Sequence, residues 1–483
     1  MSRGKTALPL DLPLPSTPGL GKQQGAYQAL RDAILERRLL AGAALPSSRT
    51  LAARWGLSRG TLEVVFDRLR SEGYIERRSG SGSRVCAVVP EHLLGIDNAT
   101  PALAASGVPS PLETRVRAGV PFVARLPDPA LFPPRQWAQL LTQALNRASP
   151  DQLAHATAQG APALREQLAG YLAQHRGIAC SADDLIITHG IRDSLDLVIA
   201  TLLRPGDIAA IEDPGYPAAA ALLRQAGAQV RALPVDDDGL RSDALPGSGA
   251  RLLYLTPAHQ APTGATLPVS RRLALLDWAQ REQAWIFEDD YDSEFNYNSA
   301  PLPALKALDP GDRVIFCGCF NKTLFAGLRV GYLLVPKAWR AALLARVELT
   351  GRAVGVVEQL ALARLLDSGG LLRHLRTARH TYQQRRDALA AVLQQHAPGQ
   401  FTLHGDHAGL HCLLRLPAGS DAEHLCQRAA EVGLHLQPLQ RFCIDARPPS
   451  AIVLGYASLT LAQVRHAGRQ LAELLRAPCQ PAP

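Results

Sequence analysis

Five short stretches of this 483-residue chain each carry a group that can do chemistry. "NKTLFAGLRVGY" supplies the amine of Lys322 and, farther on, the guanidinium of Arg329. "FEDDYDSEF" supplies the Asp289 carboxylate and the Tyr291 phenol, and "EDPGY" ends on Tyr216. "HQAPTG" is a polar turn holding His259 and Gln260. "THGIRDSLDL" turns at Gly190, so the amides of Ile191 and Arg192 can face an anion with a helix dipole behind them. Together they offer an amine for a Schiff base, a carboxylate to keep a pyridine nitrogen protonated, an aromatic face and an anion nest, a set that suits one cofactor. Singly each signal is weak, because a lone Lys is usually solvated and a Tyr is usually core. Their order and spacing carry the joint reading.

Such groups need a scaffold that delivers them to one place. "DLIITHG", "GDIAAIEDPGY", "RLLYLTPAHQ", "AWIFEDD" and "RVIFCGCF" read as short apolar strands alternating with helical segments such as "SRRLALLDWAQRE". That alternation predicts an α/β domain with a mostly parallel sheet. Ligands of open α/β sheets bind beyond the carboxyl ends of the strands, where these groups fall.

The N-terminal part reads differently. Of the formal net charge of +8, nearly all lies in residues 1–85, which hold 14 Lys and Arg against 7 Asp and Glu. In "GAYQALRDAILERRLLAG", Tyr27, Leu30, Ile34 and Leu35 recur at helical spacing. A second helix opens at Ser47 or Ser48, turns at Gly56, and a third opens at Ser58 with Leu62, Val65, Phe66 and Leu69 inward. "YIERRSGSGSRV" follows as two short strands around a Gly/Ser turn. This is a winged helix-turn-helix pattern. Ser58, Arg59 and Thr61 stand at the end of the helix that would enter the major groove of double-stranded DNA, while Arg49, Arg78, Gly80 and Gly82 are placed to hold phosphates.

The expected domains are a flexible N-terminus (1–23), the DNA-binding domain (24–85), a linker (86–119) containing "ATPALAASGVPSPLET", and the large domain (120–483). The eight cysteines show no paired zinc spacing and read as reduced thiols. Pro9, Pro13, Pro15 and Pro18 break any signal-peptide core, so a cytoplasmic protein is expected, with no metal.

Residues 24–85 closely resemble the winged helix-turn-helix of GntR-superfamily regulators through "LPSSRTLA", "SRGTL" and "EGYIERRSGSGSRV". Residues 120–478 are similar to fold-type I aminotransferases through "EDPGYP", "TPAHQAPTG", "EDDYDSEF" and "NKTLFAGLRVGY", and the whole chain resembles a MocR-type regulator. The resemblance implies pyridoxal 5'-phosphate as cofactor. Lys322 would form the Schiff base, Asp289 would pair with the pyridine nitrogen, Tyr291 would contact the phenolic oxygen, Tyr216 would stack on the ring and Arg329 would hold the phosphate. Fold-type I domains are typically two-fold dimers, so a homodimer is expected, and pyridoxal phosphate itself or an amino compound both fit as effector.

The chain departs from the aminotransferase pattern at several positions. Ala261 stands where Asn commonly precedes Pro-Thr-Gly, leaving Gln260 or His259 to serve instead; Ile191, Cys319 and Asn321 replace hydroxyl residues around the phosphate. In "AIVLGYASL", Val453 stands where an Arg commonly grips the substrate carboxylate, with Arg441 and Arg447 in the preceding loop. The expectation is a DNA-binding transcription regulator that senses pyridoxal phosphate or an amine adduct of it. The alternatives are an active aminotransferase carrying a DNA-binding head and a structural dimerisation platform on a decayed fold.

Overall fold

The computed structural model describes residues 21–78, 82–87, 119–297 and 303–476. The chain divides into two compact units, residues 1–110 and 111–483. The expected flexible N-terminus and linker lie largely outside the described residues, as does Gly80.

In the first unit, α1 (Lys22–Leu35), α2 (Ser48–Trp55) and α3 (Arg59–Ser71) precede an antiparallel ribbon of β1 (Ile75–Arg78) and β2 (Gly82–Val85). The boundaries follow from local chemistry. Ser47 and Ser58 cap α2 and α3 by accepting the amides of Thr50 and Thr61, and Gly56 ends α2 at φ 61°, where a glycine bears no Cβ penalty. Leu30, Leu51, Leu62, Val65 and Leu69 are buried into one small core with Ile75 and Val85 of the ribbon.

In the second unit, an eight-stranded sheet is built from β3 (Leu185–Thr188), β4 (Ile208–Asp213), β5 (Gln229–Asp236), β6 (Gly239–Leu240), β7 (Ala250–Leu255), β8 (Trp285–Asp290), β9 (Val314–Cys319) and β10 (Gly331–Leu334). Its order is β3-β10-β9-β8-β7-β4-β5-β6. Pairing is parallel among β5, β4, β7, β8 and β9, whereas β10 runs antiparallel to both its neighbours. Each stretch read as a strand from the sequence forms one, and "SRRLALLDWAQRE" falls in the helix Val269–Arg281. Strands β3, β4, β7, β8 and β9 end at the same edge, and their carboxyl ends bear Gly190, Tyr216, the 259–264 turn, Asp289 and Lys322.

A second sheet, antiparallel, has the order β11 (Thr402–His404), β12 (His411–Arg415), β14 (Ala451–Gly455) and β13 (Gln437–Pro438). The helices Gly370–His396 and Leu461–Arg476 pack against each other through residues such as Leu389, Leu393, Val464 and Leu471. No helix among the described residues is long and apolar enough to cross a membrane.

Candidate cofactor pocket and DNA-facing helix

Asp289 stands at the end of β8, buried, and its Oδ2 accepts a hydrogen bond from the Tyr254 hydroxyl of the neighbouring strand β7. Its other oxygen, Oδ1, is buried with no hydrogen-bond partner among the described residues. Burial pushes the carboxyl up from 3.8 to about 7, against the Tyr254 bond and the Arg125 charge that favour ionisation. A buried acceptor of this kind fits a protonated ring nitrogen, which would both satisfy Oδ1 and hold the carboxylate ionised.

The aromatic face is layered. Tyr216 stacks on Tyr254 with ring centroids 6.3 Å apart, and Tyr254 stacks on Phe287 at 5.8 Å. Tyr254 was not singled out in the sequence; a phenol interrupting the aliphatic run of "RLLYL" is the signal it offered. The Tyr216 hydroxyl accepts from Arg192 Nε at 2.9 Å. Arg192 belongs to the first turn of the helix Ile191–Leu202, which begins at Gly190.

Gly190 is required by more than its φ of 93°. A Cβ there would meet Asn321 Nδ2 at 3.1 Å, and a Cβ on Gly331 would sit 2.8 Å from the Gly190 Cα. Only glycines allow this approach of the β3 end to β10 and the lysine loop. Asn321 Oδ1, also buried and without a hydrogen-bond partner among the described residues, points to a donor or bridging ligand at the same place.

Lys322 is partly buried, and its Nζ donates to the Arg125 carbonyl at 2.5 Å. The buried Cys319 thiol at the end of β9 is pushed up to about 12, by burial first and by the Asp289 charge, with the Lys322 charge opposing. Arg329 is exposed, with a left-handed φ of 51°.

The "HQAPTG" turn has a different internal logic from the one its polar residues suggest. Gln260 is buried and spends both ends of its amide on the turn: Nε2 donates to the Pro214 and Ala261 carbonyls, and Oε1 accepts from the Thr263 amide and hydroxyl. His259 bonds Asp292 through Nδ1 at 3.1 Å and the Gly405 carbonyl through Nε2 at 3.3 Å. Burial disfavours its charged form, but the Asp292 carboxylate outweighs that and holds the imidazole above its usual range. Tyr291, placed by resemblance at the phenolic oxygen, has its hydroxyl 3.1 Å from the same His259 nitrogen. Ligand atoms of His259, Asp292 and His411 lie within 4.8 Å of one another. With both His259 nitrogens engaged, this is a buried ion pair beside His411, whose pKa is lowered well below its usual value, first by burial and then by neighbouring His259.

Val453 is 1 % exposed and packs with Leu413, Leu439, Phe442 and Ala451. Arg441 pairs with Glu423 at 2.7 Å in an exposed bridge, and Arg447 bonds the carbonyls of Asp445 and Ala446. The preceding loop is fixed to β4 by Asp213, whose carboxylate accepts the amides of Ile444, Asp445 and Ala446.

In the first unit, Arg49, Ser58 and Arg59 are exposed and Thr61 is half-exposed at the start of α3. The Ser58 and Thr61 hydroxyls lie 2.7 Å apart, and Arg59 Nε donates to Glu63 at 2.8 Å. Gly82, exposed at φ 79°, opens the second wing strand, and Arg78 ends the first.

Residues 22–85 match the family described as bacterial regulatory proteins, gntR family, and residues 127–471 match aminotransferase class I and II. The probable rhizopine catabolism regulatory protein MocR of Rhizobium meliloti is 33 % identical over 90 % of this chain and 89 % of its own length. The pyridoxine biosynthesis transcriptional regulator PdxR of Corynebacterium glutamicum is also 33 % identical, over 89 % of this chain and 91 % of its own. Among solved structures, the kynurenine aminotransferase of Pyrococcus horikoshii superposes with a TM-score of 0.71 at 27 % identity, covering 80 % of this chain and 98 % of that one. An archaeal alanine:glyoxylate aminotransferase gives 0.70 at 28 %, covering 75 % and 91 %. The large domain is therefore a fold-type I aminotransferase domain, of a family that depends on pyridoxal 5'-phosphate. With its GntR-family head and this second domain, the chain belongs to the MocR-type transcription regulators.

Proposed function

We propose that this regulator binds DNA through residues 24–85 and senses pyridoxal phosphate, or an amine adduct of it, through residues 120–478. The observation that carries the reading is a division within one pocket. The groups that would hold the cofactor are present, with a buried partnerless oxygen on Asp289, whereas β14 offers the substrate an apolar Val453 packed into a core. Retention without the usual substrate grip suits a sensor better than a catalyst.

When bound, pyridoxal phosphate supplies an aldehyde that captures amines and a ring that withdraws electrons. The chain's own residues do the rest. Lys322 provides the anchoring amine, Asp289 holds the proton on the ring nitrogen, and Tyr254 orients Asp289. Tyr216 covers one face, and the amides at Gly190–Arg192 with Arg329 receive the phosphate. The protein acts in the cytoplasm as a homodimer, with Arg49, Ser58, Arg59, Thr61, Arg78, Gly80 and Gly82 on DNA, so two heads read repeated half-sites. A ligand changes DNA binding only if it favours one of two states that differ in DNA affinity.

The test uses full-length protein and a DNA ligand selected from a random duplex pool. Its affinity is measured at fixed salt with and without pyridoxal phosphate, and with Lys322→Ala. The expected result is a cofactor-dependent change in affinity that the variant loses while still binding DNA. An affinity indifferent to cofactor and to added amines would refute the sensor reading.

A further inference from the structure

The segment 120–126 reaches the pocket from a part of the sequence that carries none of the motifs. It is clamped on both sides. Pro121 accepts the His435 amide at 2.9 Å, the Gly455 amide donates to Phe122 at 3.1 Å, and a Cβ on Gly455 would sit 1.8 Å from the Val123 oxygen. Beyond it, Asp128 pairs with Arg385 at 2.7 Å and its amide donates to the Tyr382 hydroxyl at 3.0 Å. Between these clamps Arg125 has φ 59°, a left-handed conformation that residues with a side chain seldom adopt unless the surroundings impose it, and one that gathers at functional sites.

The imposed conformation places a guanidinium inside the pocket. Its carbon lies 5.3 Å from the centre of the Tyr216 ring and 5.7 Å from that of Phe442. Its charge favours the ionised form of Asp289 and disfavours the protonated form of His411. Its carbonyl receives the Lys322 Nζ bond. The wall behind it is apolar, since Phe442 and Val453 share one cluster. Arg192, the other cation near Tyr216, is bound to the phenol at the start of the helix.

We propose that Arg125 is the specificity-determining cation of this pocket, and that it grips the carboxylate of an amino-acid effector whose amine meets the cofactor at Lys322. The proposal rests on the reading of the pocket as a pyridoxal phosphate site. An effector joined at the lysine end has its carboxylate within a few bonds of that point, and the residue already in contact with Lys322 there is Arg125. A planar guanidinium in a partly dry site favours a carboxylate by paired charge-assisted hydrogen bonds, and a plain amine offers it nothing.

Full-length protein is first titrated with pyridoxal phosphate, followed by the cofactor's visible absorption. The loaded protein is then titrated with matched pairs that differ only by the carboxylate: glycine and methylamine, β-alanine and ethylamine, 4-aminobutyrate and n-propylamine. In at least one pair the acid is expected to alter the spectrum at a concentration about tenfold or more below its amine, the factor that one charge-assisted contact supplies. Arg125→Gln, saturated with cofactor, should still give the cofactor spectrum and lose the preference, and Arg125→Lys should keep part of it, which also guards against a variant that fails to fold. A wild type with no preference in any pair overturns the proposal. So does Arg125→Gln that keeps the preference, or that loses the cofactor itself. No cofactor spectrum in the wild type overturns the sensor reading and this proposal with it.

Discussion

Replacing Asp289 by Asn separates the cost of that carboxylate from its use. Its carboxyl titrates at about 7 against 3.8 in an unburied chain, because burial outweighs the Tyr254 hydrogen bond. A raised folded value means that between about pH 4 and 7 the native state keeps a proton the unfolded chain has released, so stability is lost as pH rises through that window. Roughly two units of the window lie between pH 5 and 7, worth about 3 kcal/mol at about 1.4 kcal/mol per unit. Asp289→Asn keeps the size and the acceptor for Tyr254 but cannot ionise. In thermal unfolding of the cofactor-free protein, the advantage of the variant over the wild type should therefore grow by a few degrees between pH 5 and pH 8. Glu288, which burial pushes up to about 7, titrates in the same direction in both proteins and cancels in the comparison; Glu212, pushed up to about 8 by burial and in small part by the Asp289 charge, is slightly relieved in the variant, which adds to the variant's advantage at pH 8. Adding pyridoxal phosphate at pH 8 should reverse the order, because the ring proton then meets an ionised partner only in the wild type. A difference in Tm independent of pH, or equal stabilisation of both proteins by the cofactor, would show that Asp289 is not the buried carboxyl described above.

Three further outcomes are expected. Borohydride reduction of the loaded protein followed by peptide mapping should label Lys322; a label elsewhere, with Lys322 bare, refutes its role. Arg59→Ala should cost about 1–3 kcal/mol of specific DNA affinity while much of the salt-dependent non-specific binding remains, and unchanged affinity in a fixed-salt titration counts against base contact. Multiple-turnover keto-acid formation from ordinary α-amino acids should stay below the typical enzyme range of roughly 1 to 1000 per second, because the usual grip from β14 is replaced by Val453 and a carboxylate held instead by Arg125 of the 120–126 segment would not reproduce the usual alignment; turnover in that range that Lys322→Ala abolishes would favour the aminotransferase reading.

What could be read in the sequence was what local chemistry decides. Ser47, Gly56 and Ser58 mark helix ends by their own side chains or backbone freedom, and the cores they bracket follow the apolar period. The positions of Lys322 and Asp289 were legible because one follows an apolar strand and the other stands at the end of one, and strand ends of a parallel sheet converge. Arg125 was not, since it meets Lys322 across 197 residues and its left-handed backbone is imposed by tertiary clamps rather than by its neighbours. Gln260 and His259 show the converse limit: residue type marked both as polar candidates for the ring, but only the fold shows their hydrogen bonds spent on the turn, Asp292 and Gly405. Tyr254 belongs between the two, a phenol in an aliphatic strand whose partner, Asp289, lies on the adjacent one.

The ion pair between Arg59 and Glu63 on α3 bears on how the head searches DNA. Both side chains are well exposed, at 69 % and 50 %, so the bond contributes only about 0.3–0.5 kcal/mol, and a phosphate or a guanine edge displaces it at an energetic cost of about a factor of two in affinity. In return the pair biases the arginine toward an extended posture along the helix, so a small part of its ordering entropy is spent before contact. Glu63 also presents a negative charge to the backbone of any duplex on which Arg59 finds no base to replace it. If Arg59 reads a base, residence on such sequences would shorten through this local repulsion. Discrimination would then come through faster dissociation from the wrong DNA rather than through tighter contact with the right one.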